Sequence, residues 1–122
     1  MMRFAGYAAL FDRLDRGGDV IRAGAFSQAT APVPVLWQHE ARRVIGEVES
    51  LAEDARGLRV VACVDAPVAA GTGLSFGYRV TGVRHGAHRE LLDLDLIEVS
   101  LVTRPMQPLA RVLAVEPIPQ GE

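Results

Sequence analysis

The stretch GLSFGYRVTGVRHGAHRELLDLDLIEVSLV, residues Gly73 to Val102, decides the fold class. Phe76 to Val83 and His88 to Val102 each alternate in the manner of an extended chain, and His85 to Ala87 supplies a glycine-centred tight turn between them. This reads as a β-hairpin. Phe76, Tyr78 and Val80 take one face, and Ser75, Gly77, Arg79 and Thr81 take the other. On the return strand Leu92, Leu94, Leu96 and Glu98 share a parity, which carries Glu98 onto the leucine face unless a bulge intervenes; Asp93 and Asp95 point to solvent.

Upstream, Val44 to Leu51 and Leu58 to Val64 bracket Glu53 to Gly57, whose Asp, Arg and Gly suit a second antiparallel turn. Val33, Val35, Trp37 and His39 line one face of a further strand, so His39 ends that strand beside Trp37. Arg3 to Phe11 reads as the first strand; charge and paired glycines over Asp12 to Asp19 break it before Val20 and Ile21 resume. Ala23 to Ala31 reads as one short helix around Ala25, Phe26 and Ala29, ended by Pro32 and Pro34. The expectation is a mainly β fold: a small closed or partly open β-barrel with one or two short helices, not a wound parallel sheet. A chain of 122 residues has room for one domain, 1–122, with 113–122 as a flexible tail.

Composition narrows the chemistry. An apolar content of 49% is enough to fill one core, and a net charge of −2 supplies no basic field for nucleic acid. No apolar run approaches the roughly 18 residues of a membrane span, and the start MMRFAGYAALF is too short and too soon charged for a signal peptide, which places the chain in the cytoplasm. Cys63, the one cysteine, reads as a small buried thiol; with three histidines a closed zinc site would need unusual ligands, so no metal and no cofactor is expected. Lysine is missing, which removes Schiff-base and Ser-Lys chemistry and the P-loop lysine, and asparagine is missing, which removes a Cys-His-Asn site. Four serines, three histidines, the cysteine and the carboxylates remain.

Gly73-Leu74-Ser75-Phe76-Gly77 matches G-x-S-x-G, but strand-forming residues follow it and the chain is too short for an α/β-hydrolase sheet. Ser75 stays a candidate because the flanking glycines let a substrate backbone approach; otherwise it is a turn serine bonded to local backbone. Glu98 on an apolar face needs a partner, either a histidine or one of the 13 arginines. His39, before the charged turn Glu40 to Arg43, sits at a cleft mouth or serves as a surface cap. A serine, a histidine and a buried acid in the order His39, Ser75, Glu98 form a triad if they converge.

Four blocks stand in order along the chain: GYAALFDRLDRGGDVIRAGAF from Gly6, VLWQHE followed by VIGEVESL, GLSFGYRV, and LIEVSLVTRPMQPLARV. From about Ala5 to Val112 they resemble the prohead maturation proteases of tailed phages, found also in prophages and gene transfer agents. The resemblance implies a serine endopeptidase with a β-barrel core similar to the herpesvirus assemblins. It would work inside the assembling prohead in the bacterial cytoplasm. Its substrates would be scaffold, or the scaffolding segment of the major capsid protein, and often the protease itself; the portal and a second copy of the chain are further partners. Matched block by block, the histidine is His39, the serine Ser75 and the acid Glu98. Ser100 is the runner-up nucleophile, and His85 or His88 the assemblin-like alternative to Glu98 as third member. Amides near Ser75 or in the Val102 to Pro105 turn would hold the oxyanion, with Arg104 as a helper. Ser27 to Pro34 and Asp65 to Gly73 are shorter than the helical segments of that family. The competing reading is a non-catalytic β-barrel capsid assembly or interaction module; a small-molecule esterase rests on G-x-S-x-G alone.

Overall fold

Short apolar runs punctuated by glycine, proline and charge give strands rather than helices. The computed structural model describes residues 1–119, and among them it contains eight strands and no helix. They are β1 (Met2–Leu10), β2 (Asp19–Ile21), β3 (Val33–Trp37), β4 (Val44–Glu53), β5 (Gly57–Val64), β6 (Gly73–His85), β7 (Arg89–Val102) and β8 (Val112–Pro117). One sheet holds them all, hydrogen-bonded in the order β2-β7-β3-β4-β5-β1-β8, with β6 antiparallel along the other edge of β7. β2 and β3 lie parallel to β7 at its two ends. Phe4, Val35, Leu58, Leu74, Leu94 and Leu101, all but inaccessible to solvent, anchor a single apolar cluster.

Both expected hairpins form, but four expectations fail. Ala23 to Ala31 is not a helix: Gly24 adopts φ +94°, and isolated turns such as Ala25 N–H to the Arg22 carbonyl (3.1 Å) and Ala29 N–H to the Phe26 carbonyl (2.9 Å) replace a helical ladder. The Glu53 carboxylate fixes this path by accepting from the Gly24 and Phe26 amides at 2.7 and 2.8 Å. The sheet also does not close into a barrel. β6 and β8 touch only at their starts, through a bridge from Gly73 to Arg111 and bonds such as Leu74 N–H to the Ala110 carbonyl at 2.8 Å. Finally, the tail expected over 113–122 is an edge strand as far as Pro117, because Val112 to Pro117 pairs with Met2 to Gly6 of β1; residues 120–122 lie outside the described residues. Cys63 is half-buried rather than buried, between Arg3 and Glu47 in the ladders.

The short strand β2 is pinned to the β6–β7 hairpin by charge. Arg22 and Arg84 both donate to Glu90 (2.7 and 2.7 Å), which holds the Glu90 carboxyl well below its usual range, at about 2. Arg89 likewise lowers Asp19 through a two-pronged contact at 2.8 and 2.7 Å. A depressed carboxylate stabilises the fold above its unfolded pKa of about 4.3, and that contribution disappears as pH falls towards the folded value. The urea midpoint is therefore expected to fall as pH is lowered from about 5 to 2. In Glu90→Gln the decline should be shallower; an equally steep decline would assign it to other carboxylates.

Candidate active site

The position of β7 brings the candidate residues together. Its C-terminal half is flanked on one edge by β6, with Ser75 opposite Ser100 and Gly77 opposite Glu98, and on the other by β3, with Leu36 beside Ser100 and Trp37 beside Leu101. The ladder passes from the Tyr78–Leu96 pair directly to the Gly77–Glu98 pair, so Ile97 is an extra residue bulged out of β7 and 53% exposed. A bulge reverses the alternation. Leu94, Val99 and Leu101 face the apolar core, whereas Glu98 and Ser100 turn to the opposite face, the one that carries Ser75. Glu98 is thus buried (7% exposed) but not on the leucine face, as simple parity had it. A second irregularity leaves Leu92 unpaired and 37% exposed, off the leucine face as well.

His39 reaches this face by a turn rather than at the end of a strand. β3 stops at Trp37, and Gln38 and His39 then adopt left-handed backbone angles, φ +53° and +60°. Gln38 is clamped in place: its amide donates to the Leu101 carbonyl at 2.9 Å, its side-chain oxygen accepts from Thr103 N–H at 3.0 Å, and its side-chain nitrogen donates to Thr103 Oγ1 at 3.1 Å. The reversal swings the imidazole back over β7, where His39 Nδ1 lies 2.5 Å from Glu98 Oε1. An ionised carboxylate only accepts, so Nδ1 is the donor in this pair, and in a neutral imidazole Nε2 is then an acceptor.

Glu98 Oε2 accepts from Ser100 Oγ at 2.5 Å, and the same Oγ accepts from His39 N–H at 3.1 Å. Ser75 differs. It is 8% exposed, and its hydroxyl has no hydrogen-bond partner among the described residues. It shares with His39 a cavity of about 90 Å3, whose wall also includes Asp15, Tyr78, Met106 and Gln107. Burial, with Asp19 and Asp15 close by, pushes the Tyr78 phenol up, so the phenol there is neutral. A wider apolar groove of about 500 Å3, bounded by Trp37, Val68, Val102 and Thr103, lies at the same ends of β3 and β7. His85 and His88 stand at the tip of the β6–β7 hairpin, about 30 Å of strand from Glu98, and neither takes its place beside His39. Sequence reasoning placed Ser100 as a runner-up nucleophile; its contacts with Glu98 and His39 were signalled only by its two-residue spacing from Glu98.

The fold is that of the herpesvirus proteases. The crystal structure of KSHV protease in complex with a hexapeptide phosphonate inhibitor superposes over 96% of this chain and 65% of that one, with a TM-score of 0.68 at 11% identity. The chain belongs to the caudovirus prohead serine protease family, whose family model matches residues 1–118. The prohead protease of Enterobacteria phage HK97 is 40% identical over 62 residues, which cover 47% of this chain and 28% of that relative. The match therefore spans less than a third of the phage protein's length.

Proposed function

We propose that this chain is a serine endopeptidase of phage prohead maturation, acting on scaffold or on the scaffolding segment of the major capsid protein inside the assembling prohead. The observation that supports this best is the pairing of His39 with the buried Glu98, and the cavity that His39 shares with an unpartnered Ser75 hydroxyl. In the proposed cycle Ser75 Oγ attacks the peptide carbonyl carbon while its proton passes to His39 Nε2. The C–N bond then breaks, and His39 returns that proton to the leaving amine. Water, deprotonated by His39, attacks the acyl-Ser75 ester and releases the acid and the free hydroxyl. Glu98 holds the imidazole in the right tautomer throughout and stabilises the imidazolium. For the oxyanion, Thr103 N–H in the Val102 to Pro105 turn is occupied by Gln38 and Pro105 has none, which leaves the Arg104 amide from that turn. Cleavage of the chain itself, contact with the portal and pairing with a second copy fit the same reading.

Co-expression with the capsid precursor of the same phage tests the proposal. A shortened precursor is expected; an intact one beside folded protein would favour the non-catalytic assembly module.

Gly77 gives a second test, because it faces Glu98 across the ladder. A Cβ there would lie 2.9 Å from Glu98 Cγ and 3.0 Å from Cδ, and would press on Oε1. Gly77→Ala is expected to push the carboxylate off the imidazole and slow cleavage by about 100-fold, the usual effect of a misplacement near 1 Å. Full activity in this variant would mean that Glu98 has room to spare.

A further inference from the structure

We propose that Ser100 is a positioning residue for the His39–Glu98 pair, one hydroxyl that fixes the acid with its proton and the backbone of the base with its lone pair. The inference rests on the peptidase reading above and assigns Ser100 a role within it.

Two requirements meet at this atom. Glu98 is buried, and with Oε1 engaged by the imidazole its second oxygen would be left without a donor if Ser100 did not supply one. His39 holds a left-handed backbone, which a residue with a Cβ adopts only when its surroundings impose it. The preceding Gln38 is held by three bonds, to Leu101 and Thr103, whereas the His39 amide is held by Ser100 Oγ. Both demands fall on one side chain that is fully buried. The carboxylate can neither rotate about its terminal torsion nor drift from Nδ1 while that hydroxyl is in place.

The same contacts remove Ser100 from contention as the nucleophile. Its proton is committed to Glu98, its oxygen to the His39 amide, and no surface of it meets solvent. Ser75 and Ser100 face each other in the β6–β7 ladder and divide the work: the hydroxyl open to the cavity reacts, and the enclosed one orients.

The test compares the parent chain with Ser100→Ala and with Ser100→Cys, which nearly keeps the volume and offers a weaker donor. Three quantities are read: kcat and KM on a peptide from the capsid precursor, fluorophosphonate labelling of Ser75, and the far-downfield NMR resonance of the His39 Nδ1 proton without substrate. His85 and His88, on the exposed hairpin tip, serve as internal references. Ser100→Ala should lower kcat by about 10- to 100-fold, the range for losing a hydrogen bond to a charged group, with KM within about twofold. Labelling should slow but still reach one equivalent, and the Nδ1 resonance should broaden or shift while the reference histidines stay put. Ser100→Cys should fall between, and carries the measurement if the alanine variant does not fold. A merely structural role would lower the unfolding temperature and leave kcat and the resonance at parental values, which would overturn the proposal. So would a parent spectrum lacking that resonance, or loss of all labelling in Ser100→Ala. A parent chain that cleaves nothing would sink the peptidase reading, while the resonance would still decide the role of Ser100.

Discussion

Ser75→Ala is expected to lower peptide cleavage by at least roughly ten-thousand-fold and to abolish covalent labelling by a fluorophosphonate, with thermal unfolding almost unchanged. The contrast follows from the surroundings of the hydroxyl. It has no partner among the described residues, so its removal breaks no internal hydrogen bond, and alanine suits a position between the buried Leu74 and Phe76. What disappears is the serine hydroxyl that shares the cavity with His39. Residual turnover would come only from oxyanion donors and substrate positioning. Labelling that persists undiminished in Ser75→Ala would move the nucleophile elsewhere, and mass spectrometry of the labelled peptide would say where.

Glu98→Gln should cost nearly as much, on the order of ten-thousand-fold in kcat, because it changes the proton inventory and not the shape. If the new amide NH2 faces His39 Nδ1, that nitrogen must become an acceptor and its proton moves to Nε2, where it blocks uptake of the Ser75 proton. If the amide turns the other way, its NH2 meets the Ser100 hydroxyl, which must then give up donating to this side chain. A steady-state assay on the capsid-derived peptide, with circular dichroism to confirm the fold, measures the effect. A loss smaller than about tenfold would mean that the imidazole is held in its tautomer by something other than Glu98.

Much of this arrangement can be read from residue order, and the parts that cannot have identifiable causes. Alternation along Phe76 to Tyr78 put Ser75 and Gly77 together on one face, as found, because β6 keeps its pleat there. Glu98 was expected to be buried, and it is, yet on the face opposite to the leucines: the extra residue Ile97 leaves no mark in composition, since an isoleucine in a strand reads as an ordinary apolar position. His39 was placed at the end of an extended strand because Gln38 and His39 carry no local signal for a left-handed turn. That turn is imposed by Leu101, Thr103 and Ser100, more than sixty positions downstream. The same holds for Ala23 to Ala31, whose path is dictated by the Glu53 carboxylate rather than by helix propensity. Local pattern gave the strands; the contacts that aim the side chains are remote in the chain.

Remoteness of this kind governs timing. His39 meets Glu98 and Ser100 across 59 and 61 positions, through a parallel pairing that no local hairpin can template. Such closures come late and slowly in folding. Although β6 and β7 can pair as a local hairpin once both have left the ribosome, His39 reaches Glu98 only when β3 docks on β7, and until then Ser75 is an ordinary alcohol. The proposed enzyme would therefore be chemically silent throughout most of its own synthesis, with the delay set by topology alone.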